Sequence, residues 1–184
     1  PWSMTGHASF FANAIDGLES SHYNEGCVKC HTLGYDKAPL AVNDGFDDRQ
    51  AALGWTFPTN LMVGNWADMT NNYPDLALAA NIQCENCHGA GSEHAYGLGN
   101  TNKITVSFSA GDCAQCHESR PYHIKNQEWN NSRHAVATRY PTGENRAACV
   151  RCHSGVGFVD YVDGTTPPRT MYEAITCAAC HDPH

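Results

Sequence analysis

All ten cysteines of the chain fall into five copies of one spacing, Cys-x-x-Cys-His. The copies are Cys27, Cys30 and His31; Cys84, Cys87 and His88; Cys113, Cys116 and His117; Cys149, Cys152 and His153; and Cys177, Cys180 and His181. Two thiols three residues apart, with an imidazole on the next residue, match the attachment pattern of c-type haem. The thiols bond to the porphyrin edge, and the imidazole stands under the ring as an axial ligand to iron. A zinc site, a thioredoxin-like pair or a disulfide framework would also use cysteines, but none of these requires a histidine after every second one. The expected cofactors are therefore five covalently attached haem c groups, with the ten cysteines as attachment points and His31, His88, His117, His153 and His181 as iron ligands.

The far face of each iron decides between chemistry and conduction. With one histidine it stays open to a gas or a substrate, whereas with two the iron is six-coordinate and limited to moving electrons. Six histidines lie outside the motifs, His7, His22, His94, His123, His134 and His184, for five irons. Any one of them alone would ordinarily be a surface or hydrogen-bonded residue. Their number, and the repeat placement of four, favour ligation. Met4, Met62, Met69 and Met171 would raise the potential as ligands, but the histidines suffice. His184 lies three residues after His181, too close to reach the far face of the same ring, so it is expected to serve another haem. His94 is expected to do likewise relative to His88. The surplus histidine is either idle or reaches into a neighbouring subunit, which would link haems of successive copies in a homopolymer.

A repeat orders these residues. Trp2, Thr5, His7 and Ala8 match Trp129, Ser132, His134 and Ala135 as W-x-x-[ST]-x-H-A. Each element precedes a related haem motif, then a glycine-aromatic pair (Gly34-Tyr35 and Gly157-Phe158). A second motif preceded by isoleucine, Ile82 or Ile175, follows in each half, with His94 or His184 just downstream. The chain is expected to form one haem-packed domain over 1–184, with modules 1–94 (two haems), 95–128 (the third haem) and 129–184 (two haems).

Composition sets the fold expectation. With 184 residues there are about 37 per motif, and the mean hydropathy is -0.48. Five porphyrins would take the place of an ordinary side-chain core, coupling folding to haem attachment. The expected fold class is a multihaem cytochrome c of mainly short helices and loops wrapped round a packed haem array, with little or no sheet. Helices are predicted over 8–18, 74–82, 128–139 and 169–175, with loops at 97–102 and 163–168. Pro74 sits in a first helical turn, and Pro141 disfavours helix at Tyr140. Lys103 to Phe108 is the one candidate strand. The net charge of -8 argues against nucleic acid as a partner. No apolar run approaches the ~20 residues of a membrane span. Covalent haem attachment takes place outside the cytoplasmic membrane, so an exported protein is expected: periplasmic, surface-bound or extracellular. The acidic stretch from Asn43 to Asp48 carries oxygens suited to calcium, but reads better as a solvated turn.

The segment from Cys84 to His94, Cys-Glu-Asn-Cys-His-Gly-Ala-Gly-Ser-Glu-His, resembles the C-x-x-C-H-G-x-G-x-x-H stretch of multihaem cytochromes related to the tetrahaem carrier of ammonia-oxidising bacteria. The W-x-x-[ST]-x-H-A element is similar to their distal-ligand segments. That superfamily includes pentahaem nitrite reductases, octahaem hydroxylamine-oxidising enzymes and extracellular filament cytochromes. The resemblance implies haems in contact and electrons hopping between irons, with redox proteins or extracellular acceptors as partners. Two function classes follow. The first is an electron carrier or conduit with bis-histidine haems, either soluble or polymerised into a filament. The second is a reductase of a small nitrogen or sulfur oxyanion at an open haem. The nitrite reductases typically replace the motif histidine by lysine at the catalytic haem; no Cys-x-x-Cys-Lys occurs here.

Overall fold

An aromatic cluster organises the first half of the chain. The Phe11 ring meets Phe46 edge-on at 5.4 Å, and Phe46 meets Trp55 at 5.8 Å. Ile15, Met69 and Leu76 close round them, fully buried. The computed structural model describes residues 1–38, 40–135, 147–164 and 174–184. The chain packs as two units, Pro1–Thr105 together with His184, and Val106–Pro183. Short helices and loops make up both, and no strand occurs among the described residues; the nearest approach is one antiparallel bridge between Thr32 and Ala80.

In the first unit, 3-10 turns at Trp2–Met4 and Gly6–Ala8 lead into α1, Phe10–Ile15. This helix is shorter than the expected 8–18. Gly17 ends it with φ +74°, and its backbone lies so close to Leu61 that a Cβ would sit 2.7 Å from the Leu61 carbonyl oxygen. After α2, Val28–His31, come α3, Phe46–Leu53, and α4, Asn65–Asn72. Gly54 stops α3 in the left-handed region. α5 opens on Pro74 as expected but stops at Ala77, because the chain is diverted to pair with the first haem motif. Leu33 donates its N–H to the Ala79 carbonyl at 2.8 Å, and Asn81 turns the backbone at φ +63°. α6, Cys84–His88, and α7, Ser92–Tyr96, complete the helices of the unit.

The segment 103–108 is not a strand. Thr101–Lys103 is a 3-10 turn, and the Thr105 N–H is taken by the His88 carbonyl at 2.9 Å rather than by a neighbouring strand. Asn43 to Asp48 is a bend leading into the first turn of α3, and its acidic oxygens are already engaged. Asp48 accepts from the N–H groups of Asn43 and Asp44, and Asp44 pairs with Arg49 at 2.8 Å.

The second unit holds α8, Ala110–His117; α9, Lys125–Asn130; α10, Ala147–His153; and α11, Gly155–Val162. A 3-10 turn at Cys177–Ala179 follows. The expected helix over 128–139 starts earlier, at Lys125, and ends before His134; its last four residues lie outside the described residues, as do most of 169–175 and 163–168. Ser154 caps α11 by accepting from Gly157 N at 3.2 Å. α10 and α11 meet at Gly157, where an added Cβ would come within 2.1 Å of Val150 Cγ1. No helix among the described residues is long and apolar enough to cross a membrane.

Candidate haem sites

Local structure aligns each motif for one task. On a helical turn, residues i, i+3 and i+4 share a face, so Cys-x-x-Cys-His presents two thiols and an imidazole on the same side. α6, α8 and α10 each carry a whole motif. Cys27 ends the 3-10 turn that runs into α2, which carries Cys30 and His31. Cys177 opens the fifth turn, which the His181 N–H closes on the Cys177 carbonyl at 2.9 Å. α6 is held by a capping box in which Gln83 N donates to Asn86 Oδ1 at 2.7 Å.

The motifs are tied to one another and to the repeated elements. Asn86 Nδ2 donates to the Thr32 carbonyl at 2.9 Å, joining the second motif to the residue after the first. Ile82 N donates to the His7 carbonyl at 3.1 Å. In the other unit Trp129 Nε1 donates to the Ile175 carbonyl at 2.9 Å. In both halves, then, the isoleucine before the closing motif bonds to the W-x-x-[ST]-x-H-A element. Gln83 and Thr176, the next residues, both cap a motif turn in extended conformation. Thr32 and Ser154, which follow the two opening motifs, are both fully buried.

Several histidines are oriented by carbonyls. His88 Nδ1 faces the Thr105 carbonyl at 2.6 Å, and His94 Nδ1 faces that of Asn100 at 3.0 Å. A carbonyl only accepts, so each Nδ1 carries a proton, and in the neutral ring the lone pair is the one on Nε2. This is the tautomer a metal ligand requires. His31 is stacked on Phe10 at 4.4 Å and met edge-on by Tyr23 at 5.5 Å. The rings of His88 and His184 lie 6.0 Å apart at 15°, and those of His117 and His123 lie 6.1 Å apart at 87°. His22 is exposed and bonded to Ser20. His134 lies on the wall of a cavity, while His153 and His181 are exposed.

The residues fit haem c on four observations. Cysteine is ordinarily among the most buried residue types, yet none of the ten is buried here and no two form a disulfide. No three His, Cys, Asp or Glu side chains converge into a metal cage among the described residues, which removes support for zinc. A cavity of about 520 Å³ in the second unit is lined by Cys152, Cys180 and His134, with Phe158, Tyr161 and Ile175 as apolar wall and Arg151 as a cation. Lastly, the Tyr23 hydroxyl is buried without a hydrogen-bond partner among the described residues, beside Cys27 and Cys30. Burial pushes its phenol pKa up. Haem propionates are acceptors a phenol can serve.

Sequence reasoning missed Asn86, Tyr23 and the Trp129 indole as organisers of these sites. The signals available were the capping pattern around Gln83 and Asn86 and, for Trp129, its place in the repeated W-x-x-[ST]-x-H-A element.

No family model matches the chain, and no solved structure matches it. Curated relatives do. The C-type polyheme cytochrome OmcB of Geobacter sulfurreducens, from strain DL-1 / KN400 and from strain ATCC 51573 / DSM 12127 / PCA, is 30% identical over 124 residues. The alignment covers 56% of this chain and 15% of each relative, so the chain spans about one seventh of the proteins it matches. With five attachment-type motifs and a polyhaem cytochrome similar to it over 56% of this chain, the chain stands in relationship to the multihaem c-type cytochromes.

Proposed function

We propose that the chain is an exported pentahaem c-type cytochrome that carries electrons between redox partner proteins or to extracellular acceptors. The ten motif cysteines hold five haem c groups. His31, His88, His117, His153 and His181 supply the near imidazoles, and the far ones come from among His7, His22, His94, His123, His134 and His184. Bound haem c supplies a one-electron iron couple, and all-histidine ligation keeps its potential low. The protein's own part is to fix the ligands and hold the spacing. Thr105 and Asn100 keep His88 and His94 in the ligating tautomer. Asn86 keeps the first two motifs in register.

The observation that carries this reading is the set of five Cys-x-x-Cys-His motifs, each on a helical turn with its cysteines unburied. Mass spectrometry of protein made with haem-attachment machinery should show five haem adducts; four or fewer on fully processed protein would defeat the count. Electron paramagnetic resonance of the oxidised protein should show low-spin ferric haem alone. A stoichiometric high-spin signal would replace this reading with the reductase, acting at an open sixth site. The surplus of one distal histidine supports assembly of copies into a haem filament. Electron microscopy at high concentration tests this form, and discrete particles alone would leave a soluble shuttle.

A further inference from the structure

Two pairs of histidine rings are held at nearly the same centroid separation, and its size is informative. A metal–imidazole bond is about 2 Å. A five-membered ring of ~1.35 Å bonds places each atom about 1.15 Å from its centre. Two imidazoles on opposite sides of one iron therefore have centroids about 6.3 Å apart, whatever the angle between their planes. The His88–His184 separation is 6.0 Å and the His117–His123 separation is 6.1 Å. By contrast, the stacked pair of Phe10 and His31 lies at 4.4 Å, the spacing of rings in direct contact.

We infer that His184 is the distal ligand of the haem on Cys84 and Cys87, and that His123 is the distal ligand of the haem on Cys113 and Cys116. This assignment rests on the haem reading proposed above and specifies two of its ligand pairs. His88 already has its Nδ1 committed to the Thr105 carbonyl, which leaves Nε2 for iron. His184 packs with the unit that contains His88.

For the second pair the chain has room. Six residues from His117 to His123 reach up to about 20 Å when extended, enough to pass round a ring edge. The loop is pinned at both ends. The Gln127 N–H donates to Glu118 Oε2 at 2.7 Å, and the His123 N–H donates to the Ser119 carbonyl at 3.0 Å. The two pairs differ in one respect that can be measured. The imidazole planes are 15° apart in the first and 87° apart in the second. Near-parallel planes lift the degeneracy of the iron d orbitals and give a rhombic low-spin spectrum. Near-perpendicular planes leave those orbitals close in energy and give a strongly anisotropic one.

Electron paramagnetic resonance of the oxidised holoprotein tests the assignment without any variant. Both a rhombic and a strongly anisotropic component should be present, and absence of either overturns the assignment. Variants then separate the pairs. H123A should turn about one fifth of the iron high-spin and remove intensity from the strongly anisotropic component. H184A should do the same to the rhombic component. Where an alanine variant yields no holoprotein, H123M and H184M keep the iron six-coordinate. They should then show the near-infrared charge-transfer band of histidine–methionine ligation. A wild type with no haem would sink the cofactor reading itself. A haem-loaded, wholly low-spin H123A or H184A protein with an unchanged spectrum would sink only the pairing.

Discussion

The two units answer the same demand with different interiors. The first builds a side-chain core in which Phe11, Ile15, Phe46, Met69 and Leu76 are fully buried and Trp55 and Tyr23 nearly so. Among the described residues of the second, the buried apolar side chains are smaller: Ala110, Val150, Val156, Ala174 and Ala179. Its larger apolar groups, such as Phe158 and Tyr161, line the cavity that also holds Cys152, Cys180 and His134. A first unit with its own apolar interior can order itself around its motifs. Among its described residues the second buries little but alanine and valine, and on the haem reading proposed above porphyrin would supply the larger apolar surface. The expectation that porphyrins stand in for a side-chain core throughout is therefore too broad, since the first unit has such a core of its own.

The largest effect that would break this contrast comes from withholding haem. In C177S/C180S protein the second unit should lose folding free energy on the scale of a small domain, about 5 kcal/mol or more. Hydrogen exchange over 147–164 should accelerate accordingly, while 46–53 keeps most of its protection. Equal loss in both segments would erase the distinction. Next in size, Phe46→Ala removes the centre of the aromatic cluster and should cost the first unit about 3–5 kcal/mol, read by denaturant unfolding. Gly157→Ala tests the second unit's own packing. Its Cβ would meet Val150 Cγ1 at 2.1 Å and the Val150 carbonyl oxygen at 2.7 Å, so α10 and α11 must separate at a cost of about 1–3 kcal/mol. Thermal unfolding followed at the haem bands would report it.

The smallest effect is alkaline. The Tyr23 phenol titrates above its ordinary value of 10.0 because it is buried. Below pH 10 both folded and unfolded chains keep the proton, and no stability is lost. Above that, the unfolded chain ionises first, so stability falls as pH rises. Tyr23→Phe should flatten that decline, and an unchanged slope would show that the phenol is not the group responsible.

Much of the site was legible because covalent haem attachment demands fixed residue types at fixed spacing. Cys27 to His31 declares itself without any tertiary information. The predominance of short helix and loop was legible too, from low mean hydropathy and motif density. Helix ends were not. α1 stops early because the chain at Gly17 runs against Leu61, and α5 stops at Ala77 because Ala79 and Ala80 are drawn to the Thr32 segment; both are long-range events. Thr105 had the residue pattern of a strand but bonds to His88, and no strand lies beside it among the described residues. The aromatic cluster was hidden for a related reason: Phe11, Phe46 and Trp55 are far apart in sequence and follow no single period.

Asn86 gives one more consequence. Its amide grips the Thr32 carbonyl with one end and the Gln83 N–H with the other. An uncharged clamp neither titrates nor weakens in salt, as an ion pair would. The register between the first two motifs is thereby held by a link that neither acid nor salt loosens.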